Sequence, residues 1–217
     1  GIGPRRLGPD TVVTDDLSKA NALNDDFCSV FTVDNGLLPH FPRRVPHNIS
    51  LDHIEFTPGL IIKAIKSCKK KANSIDPDGF NSLYLHRLMY TIANPLCVLF
   101  KFIFASGTVP NAWKSANVTP IFKKGLSSCV SNYRSISITS VFCKLYERVI
   151  KTQLLNFLQD NKVINRNQHG FLSRHSTCTQ LLETINDWSI SLRNRHSVEA
   201  VYFDFEKAFQ SVSHQKL

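Results

Sequence analysis

Between Lys19 and Thr32, apolar residues recur at Ala20, Leu23, Phe27, Val30 and Phe31, the spacing of one helical face. Residues 34–50 break that rhythm with Gly36, Pro39, Pro42 and Pro46 and read as a linker, while residues 1–18 read as irregular. Thr57-Pro58 is a helix start, a capping hydroxyl followed by proline in the first turn. Leu60, Ile61, Ala64, Ile65 and Cys68 then line one face, and Lys69-Lys70-Lys71 closes the helix where cations suit its negative end. A turn is expected at Asp76-Pro77-Asp78-Gly79, and 82–105 reads as two helices meeting near Pro95.

Further along, 116–122 and 134–140 are short runs separated by turn residues from Gly125 to Asn132. They predict a β-hairpin with Pro120 on an edge strand. Val141 to Asp160 predicts an amphipathic helix carrying Leu145, Val149, Leu154 and Leu158 on one face, with Glu147 placed to pair with Lys151. Another helix is expected from Thr177, with Gln180 completing a capping box and Leu181, Ile185, Trp188 and Leu192 on its apolar face. Val198 to Phe205 is apolar and aromatic enough for a buried strand. Helices, hairpin, helices and strand in that order predict an α+β fold.

Charge changes this picture by its placement. Of 26 Lys and Arg, eleven lie between Lys101 and His175, against two acids there, Glu147 and Asp160. That window carries the whole net charge of +9, so the rest of the chain is balanced. A basic block in a neutral chain suits either a polyanion, whose counterions it would release, or a solvated surface. The six cysteines form no C-x-x-C pair, and no N-terminal apolar signal precedes them, so reduced thiols in an intracellular setting are expected. The longest apolar run, Pro95 to Ala105, is interrupted by Lys101 and falls short of a membrane span of ~20 residues, so no membrane partner is expected. His169, His175 and Cys178 lack a fourth ligand and a standard spacing, so zinc is not expected.

Asp204, in Val201-Tyr202-Phe203-Asp204-Phe205, is the most distinctive candidate for chemistry. A carboxylate near the end of an apolar strand is costly unless compensated. A divalent cation is one compensation, and a solvent-facing place on an edge strand is another.

The segment YFDFEKAFQSVSHQKL resembles the D-F-x-K-A-F-D-x-V-x-H block of reverse transcriptases from non-LTR (LINE-type) retrotransposons. Other blocks precede it in that family's order. KANALNDDFCSVFT (19–32) resembles the segment joining endonuclease to polymerase, and IDPDGFNSLYLHRL (75–88) resembles the G-P-D-G-I block. VPNAWKSANVTPIFKKG (109–125) resembles the block with P-x-x-W-K and P-I-x-K-K-G, and NYRSISITSVFCKLYERVI (132–150) resembles N-Y-R-P-I-S-L-T-S-x-x-x-K-x-x-E. QHGFLSRHSTCTQLL (168–182) resembles Q-x-G-F-x-x-x-x-S-T-x-x-Q-L.

The resemblance implies a right-hand polymerase with helical fingers, a β-hairpin and the first strand of a palm. Its divisions would be a connector at 1–50, a fingers-like region at 51–197 and the start of the palm at 198–217. The activity implied is RNA-directed DNA polymerisation with two Mg²⁺ ions, an RNA template, a DNA primer and deoxynucleoside triphosphates; oligomeric state is left open. Asp204 matches the first metal-binding aspartate, and Phe205 the position whose backbone carbonyl also faces a metal. Phe209 matches the aromatic under the nucleotide sugar, or is an ordinary core aromatic. Lys123, Lys124 and Arg134 match positions that contact the triphosphate. Gln168, Gly170 and Arg174 fall in the block expected along template or nucleic acid, with Gly170 allowing close backbone approach.

Three residues depart from the family's pattern: Ser135 where it has proline, Asp76 where it has glycine, and Gln210 where it has aspartate. The family's later Y/F-A-D-D block is absent from the 217 residues, so this chain is expected to be inactive as a fragment. The competing expectations are a non-catalytic basic nucleic-acid-binding module and a decayed relic.

Overall fold

A computed structural model describes residues 3–6, 12–37, 40, 49–70, 75–205, 208, 211–213 and 216. Contacts divide the chain into two compact units. The first holds 1–39, 53–152 and 207–217, and the second holds 40–52 and 153–206. Each is described by itself.

The first unit opens with a short antiparallel pair, β1 (Arg5–Arg6) and β2 (Val12–Val13), where an irregular segment was expected. Helix α1 (Asp16–Ser29) follows, started by the Asp15 side chain, which accepts from the Ser18 amide at 2.8 Å. Helix α2 (Pro58–Ser67) begins as the sequence predicts, with Thr57 Oγ1 accepting from Leu60 N and proline in its first turn. It stops at Ser67, so Lys66 is the cation in its last turn; Lys69 and Lys70 come after the helix, and Lys71 lies outside the described residues.

Helix α3 (Ser82–Ser106) is one continuous helix where two were expected. Pro95 removes one backbone donor, but Pro95 and Thr91 are both exposed, so water can satisfy the freed carbonyl of Thr91. Ala93, Leu96, Cys97 and Phe100 are buried on either side of the proline and hold the helix to the core. Asn81 caps the start through Leu83 N and Tyr84 N, and Gly107 at φ +62° ends it. Among the described residues, α3 is the one helix long and apolar enough to cross a membrane, contrary to the expectation of no such segment; its inner face belongs to the core of this unit.

The hairpin forms as predicted, with β3 (Ala116–Phe122) antiparallel to β4 (Tyr133–Thr139). Helix α4 (Val141–Asp160) has the predicted bounds. Glu147 accepts the Cys143 thiol hydrogen at 3.6 Å, where a pairing with Lys151 was expected. Burial raises the Cys143 thiol to about 11, and the neighbouring Glu147 charge adds to the shift. The core joins α2, α3 and α4 through an aromatic cluster. Phe56 stacks on Tyr146 at 5.6 Å, and Phe100 sits edge-on to Phe56, Trp113 and Tyr146.

In the second unit, α5 (Thr177–Arg193) starts from a capping box one residue earlier than expected. Ser176 accepts from Thr179 N, and Thr179 Oγ1 accepts from Ser176 N. Its apolar face is largely uncovered, with Leu181, Leu182, Ile185 and Leu192 more than half exposed. The buried strand expected at 198–205 does not form. Residues 196–205 carry no regular structure, and Tyr202, Phe203 and Phe205 are 83–92% exposed. A strand needs a neighbour to take its backbone hydrogen bonds, and none pairs here among the described residues.

Candidate nucleic-acid interface

The two faces of the hairpin differ in chemistry. Cross-strand partners share a face, so Phe122 with Tyr133, Pro120 with Ser135 and Val118 with Ser137 form one side. Ile121 with Arg134, Thr119 with Ile136 and Asn117 with Ile138 form the other. The first side is partly taken up by contacts, although Val118 and Phe122 remain 53% and 46% exposed. Val118 and Pro120 line a cavity shared with α1, and Phe122 packs on Tyr133 with ring centroids 5.5 Å apart.

Arg5 reaches that side from β1. Its guanidinium lies 4.4 Å from the Tyr133 ring centroid and donates to the Ser127 carbonyl, which also accepts from the Tyr133 hydroxyl at 2.9 Å. Arg5 is buried, and its Nε has no hydrogen-bond partner among the described residues. Sequence reasoning missed Arg5, because nothing local marks a residue whose partner lies 122 positions away.

The second side is open. Arg134 is exposed, opposite Ile121 and two residues from Ile136, which are 45% and 50% exposed. Lys123 N donates to Asn132 O at 2.8 Å, so strand pairing continues one residue past β3. Strand alternation then puts Lys123 on the face of Arg134 and Lys124 in the turn beyond. Both lysines are exposed.

The turn depends on Gly125. Its φ is +86°, and a Cβ there would meet Asn132 Nδ2 at 2.6 Å, while that amide donates to Leu126 O. Gly125→Ala is therefore expected to cost roughly 1–3 kcal/mol by strain and by displacing Asn132. Thermal unfolding checks this, and a midpoint unchanged from wild type would count against the turn geometry.

Asp76 is the second residue whose role sequence reasoning missed. It is buried, and the turn is not strained by having aspartate there in place of glycine. Oδ1 accepts from Asp78 N at 3.1 Å and Phe80 N at 2.7 Å, and Oδ2 accepts from Val141 N at 2.7 Å. The carboxylate thus ties the 76–80 turn to the first residue of α4, where the helix dipole favours a negative charge.

Apart from Phe209, the remaining candidates lie in the second unit. Gln168, Gly170 and Arg174 are exposed. Nothing among the described residues comes within 4 Å of a Cβ built on Gly170, so its surface is open. Its neighbours carry the unusual backbone instead, Phe171 at φ +63° and Arg174 at φ +64°, and Phe171 is 90% exposed. His169 is buried, its Nδ1 2.9 Å from Thr179 Oγ1 and its Nε2 3.1 Å from Glu183 Oε2. Asp204 is exposed rather than enclosed in a strand, as is Phe205. Phe209 and Gln210 lie outside the described residues. Among the described residues, no three His, Cys, Asp or Glu side chains gather as a metal-binding group. One exposed carboxylate is not by itself a site for two ions, so among the described residues Asp204 could contribute to such a site but does not complete it.

The reverse transcriptase (RNA-dependent DNA polymerase) family model matches residues 121–217. The RNA-directed DNA polymerase from mobile element jockey of Drosophila melanogaster is 32% identical over 123 residues, covering 56% of this chain and 13% of that protein. The probable RNA-directed DNA polymerase from transposon BS of the same species is 28% identical over 162 residues, 72% of this chain and 17% of that protein. A third, the probable RNA-directed DNA polymerase from transposon X-element of Drosophila melanogaster, is 23% identical over 120 residues, 55% of this chain and 13% of its own length. The chain thus spans well under a fifth of these relatives. The matched segment begins at Ile121, opposite Arg134, and contains Ile121, Arg134 and Ile136 of the open face, together with α4, α5 and Asp204. Residues 121–217 thus match the reverse transcriptase family model, and the relatives they resemble are RNA-directed DNA polymerases of mobile elements.

Proposed function

We propose that this chain is part of an RNA-directed DNA polymerase, and that its hairpin holds the triphosphate of an incoming deoxynucleotide against an RNA template and DNA primer. The observation that carries the reading is the open face on which Arg134 stands between exposed Ile121 and Ile136, inside the matched segment. An arginine fork binds phosphate oxygens in bidentate fashion, and Lys123 adds a second positive charge on the same face. The flanking isoleucines would exclude water on ligand binding and strengthen those contacts. In the second unit, Gln168, Gly170 and Arg174 would lie along the template, with the exposed ring of Phe171 available to stack on a base. The proposal gives residues 51–197 the role of fingers and 198–217 that of the start of a palm. Bound metal ions would supply charge neutralisation at the transferring phosphate, and Asp204 with the Phe205 carbonyl would be this chain's contribution to holding them. Phe209 would then sit under the sugar.

The test is a jockey-type polymerase in which residues 121–217 replace the matching segment. DNA-primer extension on an RNA template is expected, and Arg134→Ala in that chimera should raise the nucleotide KM at least about tenfold, roughly 1.4 kcal/mol. A folded chimera that extends no primer overturns the reading, as does an unchanged KM for Arg134→Ala. The 217-residue chain alone is expected to extend nothing.

A further inference from the structure

We propose that a second, separate phosphate-binding site lies in the first unit, in a cleft of about 460 Å³ where the end of α2, the start of α3 and the start of α4 meet. Three cations line it, Lys69, Lys144 and Arg148, together with the hydroxyl-bearing Ser67 and Ser82 and no carboxylate. Its occupant is the phosphodiester backbone of a nucleic-acid strand, and in this respect the inference rests on the polymerase reading above.

The wall of the cleft is built before any ligand arrives. Ser82 Oγ donates to Lys69 O at 2.7 Å, and the His86 ring nitrogen Nε2 lies 2.8 Å from Cys68 O, so the residues leaving α2 are tied to the first turns of α3. Arg148 is aimed from α4 by two bonds from one nitrogen, Nη1, to Ser67 O at 3.3 Å and Ser67 Oγ at 3.1 Å. Those bonds orient the guanidinium through neutral oxygens, so among the described residues no acid pairs with it at the cleft, and a second terminal nitrogen could reach a phosphate oxygen. Lys144 stands one turn before Arg148 on the same helix, and Lys69 faces both across the cleft.

Three like charges gathered in one cleft repel one another, the nearby Asp76 carboxylate being buried and already taken up by three backbone amides, and an anion bound between them relieves that cost. An anion held by several cations is what a phosphate backbone presents, each neutralised phosphate releasing a counterion. The cleft gives a role to Lys69, which sequence reasoning had assigned to closing a helix that ends two residues earlier. It also recruits two cations of the basic block that the hairpin does not use.

The test uses the full 217-residue chain and a fluorescein-labelled single-stranded RNA, with anisotropy read from roughly 50 to 200 mM salt. The double variant Lys69→Gln/Lys144→Gln is compared with Lys63→Gln/Lys101→Gln, which removes the same charge from exposed positions outside the cleft. The cleft variant should weaken RNA binding at least about fivefold at low salt and flatten the log–log salt slope by about 1.4, two single-strand contacts. The control should leave the slope near wild type. Melting midpoints equal to wild type establish that both variants are folded, and Arg148→Lys serves as a single-residue check that keeps charge while losing the fork.

Equal losses in the cleft and control variants overturn the site while leaving the polymerase reading intact. A wild-type chain that binds no RNA overturns both. Inorganic phosphate added at constant ionic strength should not displace the RNA; displacement from wild type but not from the double variant would make the cleft a free-phosphate site and overturn the backbone assignment.

Discussion

Asp76→Ala is expected to lower stability by roughly 3 kcal/mol, because one side chain satisfies three backbone donors in a buried place. Hydrogen bonds to a charged acceptor contribute about 1.5–3 kcal/mol each, and those lost on truncation overlap in cost because all share one carboxylate. Two of the three hold the turn that leads into α3, and the third meets the amide of Val141 at the start of α4. Alanine leaves all three donors without their partner, and only the more exposed of them recover water. Asparagine is no repair, since turning its oxygen toward Asp78 and Phe80 points an amide hydrogen at that of Val141. For a chain of this size the loss corresponds to a fall in melting midpoint of about 6–12 °C. Midpoints within a degree or two of wild type for both variants would sink this account of Asp76.

Phe100→Ala should cost more, about 3–5 kcal/mol, the range for removing a large ring from a packed core. Phe100 is fully buried and contacts rings from three other parts of the chain. Its centroid lies 6.0 Å from Phe56, 6.1 Å from Trp113 and 5.2 Å from Tyr146. Phe56 and Trp113 are each held against Tyr146, at 5.6 and 5.7 Å, and collapse into the space would give up those contacts, so most of the cavity should persist. Phe100→Leu keeps much of the volume and should cost under about 1.5 kcal/mol. Chemical denaturation resolves the two, and an alanine variant no worse than the leucine one would show that the cluster is not the centre of the core.

The parts of the fold legible in the sequence are those set by near neighbours. Helix α4 emerges at its predicted bounds because Leu145 and Val149 recur at helical spacing between Ser140 and the turn at Asn161. The hairpin emerges because the residues from Gly125 to Asn132 can only turn. What stayed hidden depends on surroundings. Pro95 breaks a helix by the local rule, yet it sits on the solvent side, where water can reach the carbonyl it leaves free. Residues 198–205 have the composition of a buried strand, but composition does not supply the neighbour that buries it. Asp76 looked like an ill-fitting residue in a turn until the amide 65 positions along came into view. For the candidate site, the resemblance located Arg134 in the sequence, and the strand register explains why it faces outward while Tyr133 is taken up by Arg5.

That contact between Arg5 and the hairpin tip has a bearing on how pieces of this polypeptide can be handled. The turn from Gly125 to Asn132 is braced from behind by a residue more than a hundred positions earlier, so the open face with Arg134 is a lever whose fulcrum is Tyr133 and whose counterweight is Arg5. Trimming the first few residues, a harmless step where a terminus is loose, would here remove the counterweight and leave the tip free to sway. A shortened chain could then fold, keep every residue named on the open face, and still hold a nucleotide poorly.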